Sequence, residues 1–130
     1  MPILPQWNDE HKTTIVITYQ GRWTWDEFQA AVAATNVLMN SVDYSVVLIH
    51  DTLEGSVLPP GNILAQGRTA IAGFENNLTL IVVVLNSGVI RTFVNIAAGL
   101  NPGGRGNIIK TVSSLDIALD LAEKALANPA

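Results

Sequence analysis

Residues 44–51 read Tyr44-Ser45-Val46-Val47-Leu48-Ile49-His50-Asp51, and the unbroken branched aliphatics at their centre decide the architecture. A half-exposed strand alternates apolar with polar residues, and a helix needs roughly 10–12 residues with caps of its own; this run does neither. It predicts a buried central strand, covered on both faces as in parallel sheets. Leu78-Thr79-Leu80-Ile81-Val82-Val83-Val84-Leu85 predicts a second strand of the same kind. Toward the amino end, Thr13-Thr14-Ile15-Val16-Ile17-Thr18-Tyr19 is β-branched and aromatic and stops at Gly21, which predicts another strand. Leu4–Trp7 is expected to pair with it through the polar turn Asn8-Asp9-Glu10-His11, and Asn107–Val112 forms a last, shorter strand.

Helices fill the intervals. Thr24-Trp25-Asp26-Glu27 has the capping-box form, with both acids at the positive end of the helix it opens. Phe28, Ala31, Val32, Thr35, Leu38 and Met39 follow on one face until Asn40-Ser41 breaks the pattern. A second helix runs from about Asn62 to Phe74, weakened by Gly67 and Gly73, and Gly67 is expected to admit a close neighbour. Asn86-Ser87-Gly88 caps a third helix, Val89–Leu100, and Ser113 or Ser114 caps a fourth with the stripe Leu115, Ala118, Leu119, Ala122 and Leu126. The glycine-rich segment Asn101–Gly106 is expected to be irregular. The order β-β-α-β-α-β-α-β-α implies one α/β domain with a mixed, mostly parallel sheet, and 130 residues fit one such domain.

Composition narrows the function classes. Apolar residues make up 48% and charged residues 14%, where globular chains average about 25% charged, so the chain is globular with a charge-poor surface. A net charge of −4 supplies no basic field for a polyphosphate backbone, which argues against nucleic acid as a partner. Without cysteine there is no thiolate nucleophile, disulfide or Cys-type zinc site. Met1–Lys12 carries Asp9, Glu10 and two prolines where a secretory peptide needs a basic start. The longest apolar run, Leu80–Leu85, is far short of the roughly 20 residues that span a bilayer, so a cytoplasmic protein is expected.

Chemistry-bearing residues are few. His50-Asp51-Thr52 closes the central strand, and the carboxyl ends of strands in open α/β sheets are where ligands gather. Asp51 beside the Thr52 hydroxyl reads as a phosphoryl-accepting or partner-binding pair, or as a loop carboxylate that satisfies neighbouring amides. His11 and His50 are the only histidines and have no spaced third ligand, and no G-x-S-x-G nucleophile elbow surrounds Ser56. Gly103-Gly104-Arg105-Gly106 follows a helix and precedes a strand, the reverse of a phosphate-binding loop. Ser87-Gly88, with Arg91 one turn on, has the right context for an anion but reads first as a cap. Trp23 and Trp25, with Trp7 upstream, line an aromatic site or pack in the core. No metal and no cofactor are expected.

His50–Gly61 reads as a linker, and within it and just beyond, Val57, Leu58 and Ile63 surround Pro59-Pro60 in what is expected to be an exposed loop. An apolar, proline-stiffened loop points to docking, against another protein or, through Val57 and Leu58, against a second copy in a homodimer.

The run Val46–Asp51, the segment Leu80–Ser87 and the ending Thr111–Leu119 together resemble the STAS group, and more narrowly the SpoIIAA-like proteins related to anti-sigma-factor antagonists. The resemblance covers about Thr13–Ala127. It implies a sheet with helices packed mainly on one side and a non-enzymatic regulatory role, with a kinase-like or anti-sigma-type partner. In such antagonists the strand ends in Asp, then a phosphorylatable Ser or Thr, then a helix. Asp51 matches that Asp and Thr52 the hydroxyl residue. Leu53-Glu54 departs from the small residue and glycine of the pattern, which leaves Thr52 and Ser56 as equal candidates for phosphorylation. The expected partner surface is Asp51, Thr52, Ser56, Val57, Leu58, Asn62 and Ile63. The alternative is a binder of a small apolar or lipid-like molecule, because loose, glycine-containing helices on a charge-poor domain can open a pocket against the sheet.

Overall fold

The computed structural model describes residues 2–57, 59–61 and 63–127. Five strands, β1 (Ile3–Trp7), β2 (Thr14–Arg22), β3 (Val46–Val57), β4 (Leu78–Val84) and β5 (Ile109–Val112), form one sheet in the order β1-β2-β3-β4-β5. The β1–β2 hairpin is antiparallel and every later pairing is parallel. Four helices among the described residues, α1 (Trp25–Asn40), α2 (Ile63–Gly73), α3 (Gly88–Gly99) and α4 (Leu115–Ala127), complete an α/β fold.

Local chemistry sets the helix ends. The Thr24 hydroxyl accepts from the Glu27 amide at 3.1 Å while the Glu27 carboxylate accepts from the Thr24 amide at 3.0 Å, so the capping box holds two otherwise unpaired N–H groups. Ser87 accepts from the Ile90 amide, and of the two serines ahead of α4 it is Ser114 that accepts from the amide of Ile117. No helix among the described residues is long and apolar enough to cross a membrane.

Because strand order advances one place at a time, right-handed crossovers deliver successive helices to the same face. On that face α1 and α2 bury Phe28, Ala31, Met39, Ala70 and Phe74 with Ile15, Ile17, Val46, Leu48 and Ile81 of the sheet. The opposite face carries Val16, Val47, Ile49, Val82 and Val84, and α4 closes it with Ala118 and Ala122. The central strands are covered on both sides, as their unbroken apolar runs require. Leu48, Ile49, Val46 and Val47 are all fully buried.

Two expectations about chain path are corrected. The strand expected to stop at Gly21 continues to Arg22, and the segment expected to be a linker from His50 continues as β3 to Val57. The two corrections have one cause. The ends pair with each other, Gln20 opposite Glu54 and Arg22 opposite Val57, across register shifts that let the strands overrun. Backbone through Val57 is therefore in the sheet and not in an exposed loop, and Leu53 packs against the α4-side core. The Asn101–Gly106 segment is not wholly irregular: it contains the 3₁₀ turn Pro102–Gly104 and the start of a second, Gly106–Ile108.

Candidate functional site: a walled apolar cavity

Side chains alternate across a strand, so β3 sends Leu48, His50 and Thr52 toward the α1–α3 face and Ile49 and Asp51 toward the other. The register puts His50 beside Ile17 of β2 and Val83 of β4. Tyr19, two residues beyond Ile17, lies on the same face, and its Oη is 2.7 Å from His50 Nδ1. Both residues are buried, at 4% and 9% exposure.

This pair forms part of the wall of a cavity of about 150 Å³ between the sheet and helices α2 and α3. Its inner wall is Tyr19, Trp23, Phe28, Phe74 and Ile81, all buried. The outer wall is formed by Ile63, Leu64 and Gly67 of α2 facing Ile90, Phe93 and Val94 of α3, all only half-buried. Val83, on the inner strand β4, is half-buried too, because the cavity lies over it. The void exists because the facing helices present small groups there: Gly67 lines it with no atom within 4 Å of where a Cβ would sit, and Ala70 and Ala97 lie nearby. The expectation that Gly67 admits a close neighbour is thus corrected; it opens space.

Rigid packing frames the cavity. Trp23 meets Trp25 edge-on at 5.1 Å between ring centroids, and Trp25 meets Phe28 edge-on at 5.5 Å. The Trp25 indole N–H donates to the Pro60 carbonyl at 3.0 Å, tying the chain ahead of α2 to the start of α1. Arg105 donates to the carbonyls of Ile71 at 2.7 Å and Glu75 at 3.0 Å, a cation placed on the negative end of α2. Gly103 lies against Ala72, where a Cβ would come within 3.1 Å of its Cα, at a positive φ of 59° that favours glycine. The glycine-rich loop is thus a clamp on α2.

Burial governs the ionisation of the polar pair. Desolvation lowers the His50 pKa to about 4 and pushes the Tyr19 phenol above its usual value. Both are neutral near pH 7.

The other sequence-derived candidates are dispersed. Asp51 faces away from His50, and its Oδ1 accepts from the Leu53 amide at 3.1 Å, as a carboxylate closing on its own backbone does. Thr52 lines the cavity, but its hydroxyl donates to the Val84 carbonyl at 2.7 Å. Ile63 lines the cavity mouth. Ser56 and Val57 belong to the end of β3, while Leu58 and Asn62 lie outside the described residues. His11 is remote, its carbonyl accepting from the Tyr44 hydroxyl. No cluster of three His, Asp or Glu side chains suited to a metal ion occurs among the described residues. Tyr19 is a cavity-lining residue that the sequence did not single out as a site candidate; strand alternation shows which of its neighbours share its face, but not that His50 lies across from it.

Comparison with known protein families, with curated proteins and with solved structures finds no match to this chain.

Proposed function

We propose that this protein binds a small, largely apolar molecule in the cavity between its sheet and helices α2 and α3. The supporting observation is the cavity itself: about 150 Å³, walled by aromatic and branched aliphatic side chains, with one hydrogen-bonded polar pair in its lining. Binding sites for small molecules have this composition, a mostly apolar lining with a few placed polar groups. An apolar cavity of about 150 Å³ accommodates a benzene-sized guest.

A regulatory domain docking a protein through Asp51–Ile63 is the competing reading. It has less support, because the Asp51 carboxylate and the Thr52 hydroxyl proton are both committed to backbone within the chain.

The test is thermal denaturation of the wild type in the presence of α-methylstyrene, a neutral ring-sized hydrocarbon. A molecule that binds only the native state stabilises it by about 2.7 kcal/mol at a hundred times its Kd. The melting temperature is expected to rise with probe concentration, with a parallel change in the fluorescence of Trp23 and Trp25. Gly67→Leu, which places an isobutyl group in the cavity, is expected to remove both effects. Absence of any shift with this probe and with acetophenone up to their solubility, or an equal shift in Gly67→Leu, would overturn the reading.

A further inference from the structure

The lining shows which polar feature an occupant needs. Lys, Arg, Asp and Glu are absent from the residues described around the cavity. An anion would find no cation there and a cation no carboxylate, and burying either unpaired is strongly unfavourable. The aromatic groups do not substitute for a carboxylate. Trp25 packs edge-to-face against both Trp23 and Phe28, and Trp23 and Phe28 lie 31° apart at 5.8 Å between centroids, so these rings cover one another instead of boxing a cation.

Of the polar side chains, Trp25 donates to Pro60, Thr52 donates to Val84, and Trp23 has a partner of its own. The remaining pair is Tyr19 and His50. A neutral phenol and a neutral imidazole hold two transferable hydrogens, one O–H and one N–H, but share only one hydrogen bond, at 2.7 Å. If the phenol donates to Nδ1, the imidazole keeps its hydrogen on Nε2. If Nδ1 donates to the phenol, the O–H is kept instead. Either tautomer leaves one donor uncommitted among the described residues, on a pair that lines the cavity.

Resting on the binding role proposed above, we infer that the occupant is an uncharged, ring-sized apolar molecule with one hydrogen-bond acceptor, a carbonyl or ether oxygen, directed at the Tyr19–His50 pair. Solvent entering the cavity satisfies the donor before binding. An occupant without an acceptor displaces that solvent and leaves the donor buried and unpaired, which weakens its binding by roughly 5- to 150-fold.

The test compares acetophenone with α-methylstyrene, which replaces the carbonyl oxygen by a methylene, in wild type and in Tyr19→Phe/His50→Leu. The double variant is needed because each single variant retains one donor. It is expected to fold, since replacing both partners of a buried hydrogen bond by apolar groups of similar shape is close to neutral. The preference for acetophenone, expressed as the ratio of the two dissociation constants, is expected to fall roughly 5- to 150-fold from wild type to double variant. Comparing that ratio between proteins cancels the different solubilities of the probes in water. In the wild type, the carbonyl stretching band of bound acetophenone is expected to shift to lower wavenumber, a readout that does not need the variant. Benzoate and benzylammonium are expected to bind more weakly than either neutral probe. Binding of both neutral probes with an unchanged ratio and an unshifted carbonyl band, or tightest binding of a charged probe, would overturn this inference while leaving a cavity binder. Failure of every probe to bind would overturn the binding role itself.

Discussion

Gly67 offers the sharpest test of the gap between α2 and α3. It lies inside α2, its φ is not positive, and a Cβ built there meets no atom within 4 Å. Gly67→Ala therefore gains helix propensity, about 0.8–1 kcal/mol, without a steric cost. For a chain of 130 residues this corresponds to roughly 3–5 °C in melting temperature. Gly67→Leu adds an isobutyl group at the cavity wall. Each buried methylene contributes about 0.8 kcal/mol, but Gly67 is only half-buried and ordering a leucine costs about 0.5–1 kcal/mol, so with the helix propensity gained over glycine the net gain is about 1–2 kcal/mol. Urea denaturation followed by circular dichroism measures both variants, with an unchanged m-value showing that stability alone has moved. If the helices close up in solution, leucine overpacks the site and destabilises by about 1–3 kcal/mol while alanine remains tolerated. That result, or leucine that stabilises without impairing probe binding, refutes the argument.

Three further outcomes are expected. His50 is held neutral in the folded chain with a pKa of about 4, against about 6.5 unfolded, so between those values the unfolded state binds more protons. Stability should therefore fall as pH drops from about 6.5 to 4, by about 3 kcal/mol in all, and stop falling from this cause below pH 4; urea titrations across that range should lose this component of the slope in His50→Leu. Arg105→Ala removes both donors from the carbonyls of Ile71 and Glu75 and is expected to cost about 2 kcal/mol by urea denaturation, with faster amide exchange concentrated in the last turn of α2. Thr24→Ala breaks the capping box of α1 and should cost about 1 kcal/mol; Thr24→Ser, which retains the accepting oxygen, should recover most of it in the same assay.

The sequence by itself determined the elements and their succession. The Val46–Ile49 run had to be a central strand because nothing else buries consecutive aliphatics so briefly, and Thr24 with Glu27 marked the start of α1 because a capping box needs only residues three apart. These signals are local, carried by side chains a few positions apart on one element. Tertiary structure decided what depends on distances between elements. The overrun of β3 past Asp51 to Val57 required β2 to supply hydrogen-bond partners. Strand alternation separates adjacent His50 and Asp51 onto opposite faces, but only the parallel register brings Tyr19, 31 positions away, to within 2.7 Å of His50. The cavity is the least local feature of all: it arises where Gly67 and Ala70 of α2 and Ala97 of α3 together fall short of filling the space over Val83, a sum of small volumes that no single segment encodes.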